Sequence, residues 1–145
     1  RDGKKLDTSS YASLENILLN LSKLSVLENI NSITIFLDVK YINFEESIEN
    51  YKYPELSKKV CLLASSSPKE TSIEIDDMKH SIFSYFLMKG LKGDAYGDDK
   101  ILEIGELAEY LYRKIPDYTK NLENGLLQNP EFIGSDLKRV LIDLR

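Results

Sequence analysis

Two apolar runs constrain this chain more than anything else in it. "NSITIFLDV", residues 31–39, and "KVCLLASS", residues 59–66, carry aliphatic and β-branched side chains at alternating positions of both parities. A strand that is apolar on both faces must be covered on both, as strands are in a sheet flanked by helices. Helical spacing surrounds the two runs. Leu14, Ile17, Leu18, Leu21 and Leu24 mark one helix face, with Ser13 placed to cap it. Ile82, Phe83, Phe86, Leu87 and Leu91 mark a second, and Ile104, Leu107, Leu111 and Ile115 a third that is expected to stop at Pro116. A short helix is expected within residues 43–57, and "LKRVLIDLR" carries a last short strand. This order predicts an α/β fold with a mostly parallel sheet and helices on both of its faces.

With 145 residues the chain suits a single domain spanning 1–145. Its 19 basic and 24 acidic side chains give a net charge of -5, and no basic cluster stands free of acids. Phosphate binding needs a concentrated basic face, so no nucleic acid is expected as a partner. No apolar window reaches the length of a membrane span, and no apolar stretch follows the charged start as a signal peptide would require. A cytoplasmic setting without membrane contact is the expectation. Cys61 is the one cysteine, so no internal disulfide is available. The opening "RDGKKLDTSS" reads like the interior of a longer protein, and the domain is expected to be N-terminally truncated.

Open parallel sheets place their chemistry just past the carboxyl ends of their strands. Two such ends are visible, at Asp38–Tyr41 and at Ala64–Ser67. Both lie on segments that resemble a known family. "ITIFLDVKY", "KVCLLASSSPKETSIE", "HSIFSYFLMKGLKGDAYGDDKI", "GELAEYLYRKIP" and "LLQNPEFIG" follow one another as the later motifs of bacterial caspase-like and metacaspase-like cysteine peptidase domains do. The family pattern has a strand ending in Asp-x-Cys-x-Ser-Gly, a strand ending in Ala-Ser-Ser, a downstream Thr-Ser-x-Glu, a helix opening on His-Gly and a Gln-Thr-Pro segment. The resemblance covers nearly the whole chain. It implies a caspase-like three-layer sandwich whose early strands and general-base histidine segment belong upstream.

Carried over by residue, the resemblance puts Asp38 at the acid that precedes the nucleophile and Lys40 at the nucleophile itself. A thiolate attacks a peptide carbonyl because a neighbouring imidazole holds its proton, whereas a lysine ammonium has a reference pKa near ~10.4 and no free amine at neutral pH. No catalytic residue is therefore assigned. His80 matches the structural histidine at the start of a helix, and Cys61 lies in mid-strand as a small buried hydrophobe. Substrate-binding positions implied by the resemblance are Asp38, Ser65, Ser66, Thr71 and Ser72. A second pocket acid would fall near Pro68 or Lys69, neither of which is acidic, and Lys40 is close enough in sequence to neutralise Asp38.

These readings combine into an expected function: a catalytically inactive pseudo-peptidase that binds, scaffolds or regulates. Its expected partners are the upstream part of the same domain and a peptide or protein. The alternative is part of an active cysteine endopeptidase completed by another segment or chain. A receiver-like phosphorelay domain fits less well, because the acidic pair on an earlier strand and the Lys-Pro after a later one are missing from the sequence. "GDAYGDDKILEIGEL" is a degenerate calcium loop: counting from Asp94 puts Asp99 where the turn glycine belongs and Glu106 one residue late. No metal or cofactor is expected, and Asp98 or Asp99 reads as the acid leading into the following helix.

Overall fold

The computed structural model describes residues 14–24, 29–39, 58–67, 70–75, 79–122 and 126–145. Its elements, in chain order, are α1 (Leu14–Leu24), β1 (Ile33–Leu37), β2 (Val60–Ala64), β3 (Glu74–Ile75), β4 (His80–Ser81), α2 (Ile82–Lys89), a π-helical turn at Gly90–Asp94, β5 (Ile101–Glu103), α3 (Ile104–Thr119), β6 (Glu131–Ile133) and β7 (Val140–Asp143). The architecture is mixed α/β with small sheets. No described helix is long and apolar enough to cross a membrane.

β2 is the central strand. All five of its residues are fully buried, as a run apolar on both faces requires. β1 pairs with it in parallel, from Ile33 opposite Val60 to Leu37 opposite Ala64, and β6 pairs antiparallel on its other edge. β3 with β4 and β5 with β7 form two further antiparallel pairs. The expected mostly parallel sheet is thereby corrected: of the four strand pairs among the described residues, only β1–β2 is parallel. Strands of two to four residues, set in turn-rich segments, pair with neighbours that a short loop or a reversed chain direction can reach, and those pairs are antiparallel. β1 is also less covered than its composition suggests. It has β2 as its partner among the described residues, and Phe36 is exposed.

The helical readings hold on their buried faces. Ile104, Leu107, Leu111 and Ile115 of α3 are all fully buried. Leu107, Leu111 and Ile115 form the main core with Ile82 and Phe83 of α2, Leu63 of β2, Ile73 and Leu102. Each such side chain contributes roughly 1.5–3 kcal/mol by leaving water. Gly90 lets α2 meet α3, since a Cβ there would stand 2.6 Å from Leu107 Cδ1. α3 runs three residues past the expected stop to Thr119. Pro116 falls at the start of the last turn, where its missing N–H removes one bond and leaves the upstream turns intact. Glu106, rather than Asp98 or Asp99, is the acid at the α3 N-terminus: its Oε2 accepts from the Glu103 amide at 2.9 Å. In α1, Leu18 is buried while Ile17 and Leu24 are exposed. Ser13 and the short helix expected within 43–57 lie outside the described residues.

Two anchors complete the frame. Arg139, almost fully buried, donates from Nη1 to the Ile33 carbonyl at 2.8 Å and from Nη2 to the Lys58 carbonyl at 3.4 Å, so one guanidinium fixes the starts of β1 and β2 together. Gly134 follows β6 at φ +152, and a Cβ there would stand 2.8 Å from Cys61 Sγ. Substituting Gly134→Ala therefore imposes both a left-sided backbone and a clash with a buried strand. A loss of roughly 2–4 kcal/mol in urea denaturation is expected. A loss below about 0.5 kcal/mol, the level of an ordinary surface change, would contradict that packing.

Tyr110 shows how α3 closes on the π-helical turn. Its hydroxyl donates to Asp94 Oδ2 at 3.3 Å, and burial, reinforced by the Asp94 charge and this bond, pushes its pKa up from 10.0 to about 12. The folded state holds the proton more tightly than the unfolded chain, so the stabilisation is complete below about pH 10 and is lost as pH rises through about 12. In alkaline difference spectra against Tyr110→Phe, the Tyr110 phenol should ionise at about pH 12, above the ordinary tyrosine value. Asp94→Asn should lower its midpoint only partway, because burial is the larger cause. Ionisation near the ordinary value in the native protein would refute the contact.

Candidate functional site

Because β1 and β2 are parallel and in register, they end side by side. The ladder runs one residue beyond β2, with the Ser65 amide donating to the Leu37 carbonyl at 2.8 Å. Asp38 and Ser65 thus leave the sheet next to each other. The Ser65 hydroxyl lies 3.4 Å from the Val39 amide, which donates to it, and 3.5 Å from the Val39 carbonyl.

Three hydroxyls converge on the Asp38 carboxylate. Ser72 Oγ donates to Oδ1 at 2.7 Å, while Ser84 Oγ at 2.5 Å and Ser81 Oγ donate to Oδ2. Each donor arrives by a local rule. Ser81 is the N-cap of α2, with extended backbone at φ -63 and ψ 156, and its oxygen accepts from the Ser84 amide at 2.9 Å. The same first turn of α2 carries the Ser84 hydroxyl. Ser72 is brought alongside by the β3–β4 pair, where Glu74 faces Ser81, and by the Ile82 amide bonding the Ile73 carbonyl at 2.9 Å. A carboxylate lying at a helix N-terminus also meets the favourable end of the helix dipole.

The segment 126–130 braces the loop from the other side. Gln128 is fully buried; its Nε2 donates to the Ser65 carbonyl at 2.8 Å and its Oε1 accepts from the Ile73 amide at 2.9 Å. Glu70 accepts at 2.6 Å from both the Asn129 amide and Asn129 Nδ2, and the Ser67 amide donates to the Asn129 carbonyl at 2.8 Å.

Of the residues expected from sequence, Asp38, Ser65 and Ser72 are brought together at the strand ends. Ser66 and Thr71 are turned elsewhere: Ser66 Oγ donates to the Glu70 carbonyl at 3.3 Å and Thr71 Oγ1 to the Ser72 carbonyl at 3.4 Å, so both close the loop on its own backbone. Lys40, Pro68 and Lys69 lie outside the described residues. Cys61 is fully buried in β2, where its thiol donates to the Asp136 carbonyl at 3.9 Å. His80 is exposed on β4, and the capping role falls to the next residue, Ser81. Ser81, Ser84 and Gln128 are the members that sequence reasoning missed. "HSIFS" held the signal for the first two, since Ser-x-x-Ser at the head of an apolar helix is a capping pattern. In the acidic loop, Asp94 accepts from Tyr110 and Asp99 from the Ile101 amide at 3.1 Å. Among the described residues no group of three or more potential metal ligands gathers.

The chemistry of the cluster follows from proton counting. A serine hydroxyl has one proton, and here each of the three points it at Asp38. What remains to accept from a ligand is the spare lone pairs of the exposed Asp38 carboxylate and of the half-buried Ser84 hydroxyl, since Ser72 is buried and Ser81 Oγ already accepts from the Ser84 amide. The site can accept hydrogen bonds from a ligand, and it has little to donate. By itself a carboxylate is a weak base for a serine proton. Comparison with family models, with curated proteins and with solved structures returned no match.

Removing the acceptor should loosen all three donors at once. Asp38→Ala is expected to lower stability by roughly 1–3 kcal/mol, less than three buried charged bonds would give because Asp38 is exposed. The urea midpoint measures this, with Ser81→Ala, which also removes the cap, as the comparison. An unchanged midpoint in Asp38→Ala would mean that the hydroxyls hold nothing.

Proposed function

We propose that this chain is a caspase-like α/β domain without peptidase activity, a pseudo-peptidase that binds an extended peptide or protein segment at the ends of β1 and β2. The observation that carries the reading is the Asp38 cluster: three hydroxyl protons are committed to one carboxylate, which leaves a patch of acceptors where the family resemblance puts substrate. Such a patch suits the N–H groups of an extended segment. Lys40, two residues beyond Asp38 in the sequence, brings a positive charge to the same segment, which suits neutral amide donors better than strongly basic side chains. The three-layer sandwich and the upstream part of the domain belong to the same proposal. β1 has β2 as its strand partner among the described residues, and its other edge is where an additional strand would pair.

The buried state of Cys61 weighs against the alternative of an active cysteine endopeptidase using this chain's own thiol. A nucleophile must be reached by its substrate, and a thiol in the centre of a fully covered strand is not. Incubation of the purified chain with a panel of fluorogenic peptides should give no turnover, and iodoacetamide should label Cys61 only after unfolding. The same peptides in unlabelled form should shift the amide resonances of Val39, Ser72 and Ser81, and Asp38→Ala should abolish those shifts. Turnover by the chain alone would refute the inactive reading. Peptide shifts confined to other surfaces would refute the site.

A further inference from the structure

We infer that Gln128 is the positioning residue of the strand-end site, a side-chain carboxamide that bridges the Ser65 carbonyl and the Ile73 amide as a peptide unit would. A buried carboxamide without partners costs several kcal/mol, roughly 2–7, so its presence in the interior requires that its hydrogen bonds be made. They are all between segments. Nε2 donates to the Ser65 carbonyl, Oε1 accepts from the Ile73 amide, and the backbone amide donates to Thr119 Oγ1 at 3.3 Å, which ties the group to the end of α3.

The two residues it joins are the ones that control the site. On one side, Ser65 bonds the Leu37 carbonyl through its amide and meets Val39 through its hydroxyl, so it fixes the end of β1. On the other, Ile73 follows Ser72, whose hydroxyl holds Asp38 Oδ1, and its carbonyl receives the Ile82 amide at the head of the helix that carries Ser84. One donor and one acceptor on a single planar group therefore set the separation between the β1 end and the hydroxyls that grip it. The Glu70–Asn129 pair braces the same loop, but it is exposed and competes with water, whereas Gln128 is fully shielded. Without the carboxamide the Ser72 side of the cluster loses its fixed distance from Asp38, although each hydroxyl is still present.

Coupling distinguishes this role from general support of the core. In the native background, Ser72→Ala is expected to reduce the folding equilibrium constant by on the order of tenfold, the worth of one hydrogen bond to a carboxylate. In the Gln128→Glu background at about pH 9, above the range to which burial raises a glutamate, the introduced carboxylate faces the Ser65 carbonyl without a proton to donate, and the same substitution should cost less than about threefold. At about pH 4 the introduced carboxyl is protonated, regains one donor and one acceptor, and the full effect of Ser72→Ala should return, measured against the native background at the same pH. Equal losses in every background and at both pH values would overturn the inference. Gln128→Met, which keeps the length and removes the amide, repeats the comparison at one pH if the charged variant unfolds; unfolding of both would make Gln128 an ordinary core residue and also overturn it. The inference deepens the proposed binding site and rests on that reading for its purpose, but the coupling is measured without any peptide. Failure of peptide binding with coupling intact would count against the binding function alone.

Discussion

The parallel register of β1 on β2 is the constraint from which the rest of the site descends. With Leu37 opposite Ala64, the chain leaves both strands at the same level, and Asp38 and Ser65 have no choice but to be neighbours. Arg139 fixes the same pair of strands at their starts. The energies explain which of these features is firm. Burying the side chains of β2 contributes several kcal/mol in total, whereas a hydrogen bond to a surface carboxylate contributes about 1. The core decides where the strand ends lie; the hydroxyls decide only how the loops beyond them are held.

What the hydroxyls add is long-range closure. The three serines that grip Asp38 lie 34, 43 and 46 residues along the chain from it. The entropy of closing loops of that length is spent once, by the β3–β4 pair and by the Ile73–Ile82 bond that bring Ser72 and Ser81 together. After that, each hydroxyl needs only to choose a rotamer. A cap that also serves a carboxylate, as Ser81 does, makes the start of α2 part of the site without adding a residue.

Much of this was legible in the sequence, and the missing parts share a physical cause. β2 announced itself by apolar residues of both parities, and α3 by Ile104, Leu107, Leu111 and Ile115, because long periodic segments carry their burial in their composition. β3, β4, β5 and β6 have two or three residues each, too few for any period, and they are strands only because a partner lies beside them. The direction of the sheet was misjudged for that reason. Asp38 and Ser65 are legible from their place after strands and Ser72 from the family resemblance, whereas Ser81 and Ser84 show in the sequence only as the head of an apolar helix. Gln128 left no local signal at all: its partners at 65, 73 and 119 exist only in the folded chain.

On the proposed reading, the same geometry bears on how a peptidase-like framework loses its chemistry and keeps its shape. Catalysis by thiol needs a reachable sulfur with a base to hold its proton, and the sole sulfur of a cysteine here is sealed in mid-strand against Gly134. Shape needs only that the loops past β1 and β2 be anchored. That task is performed by hydroxyl protons directed at Asp38 and by the Gln128 carboxamide, groups that neither attack nor transfer protons in this arrangement. A hydroxyl whose proton is committed to a carboxylate is a good ligand for an incoming N–H and a poor nucleophile. The arrangement that stabilises the strand ends is therefore one that fits the proposed binding role.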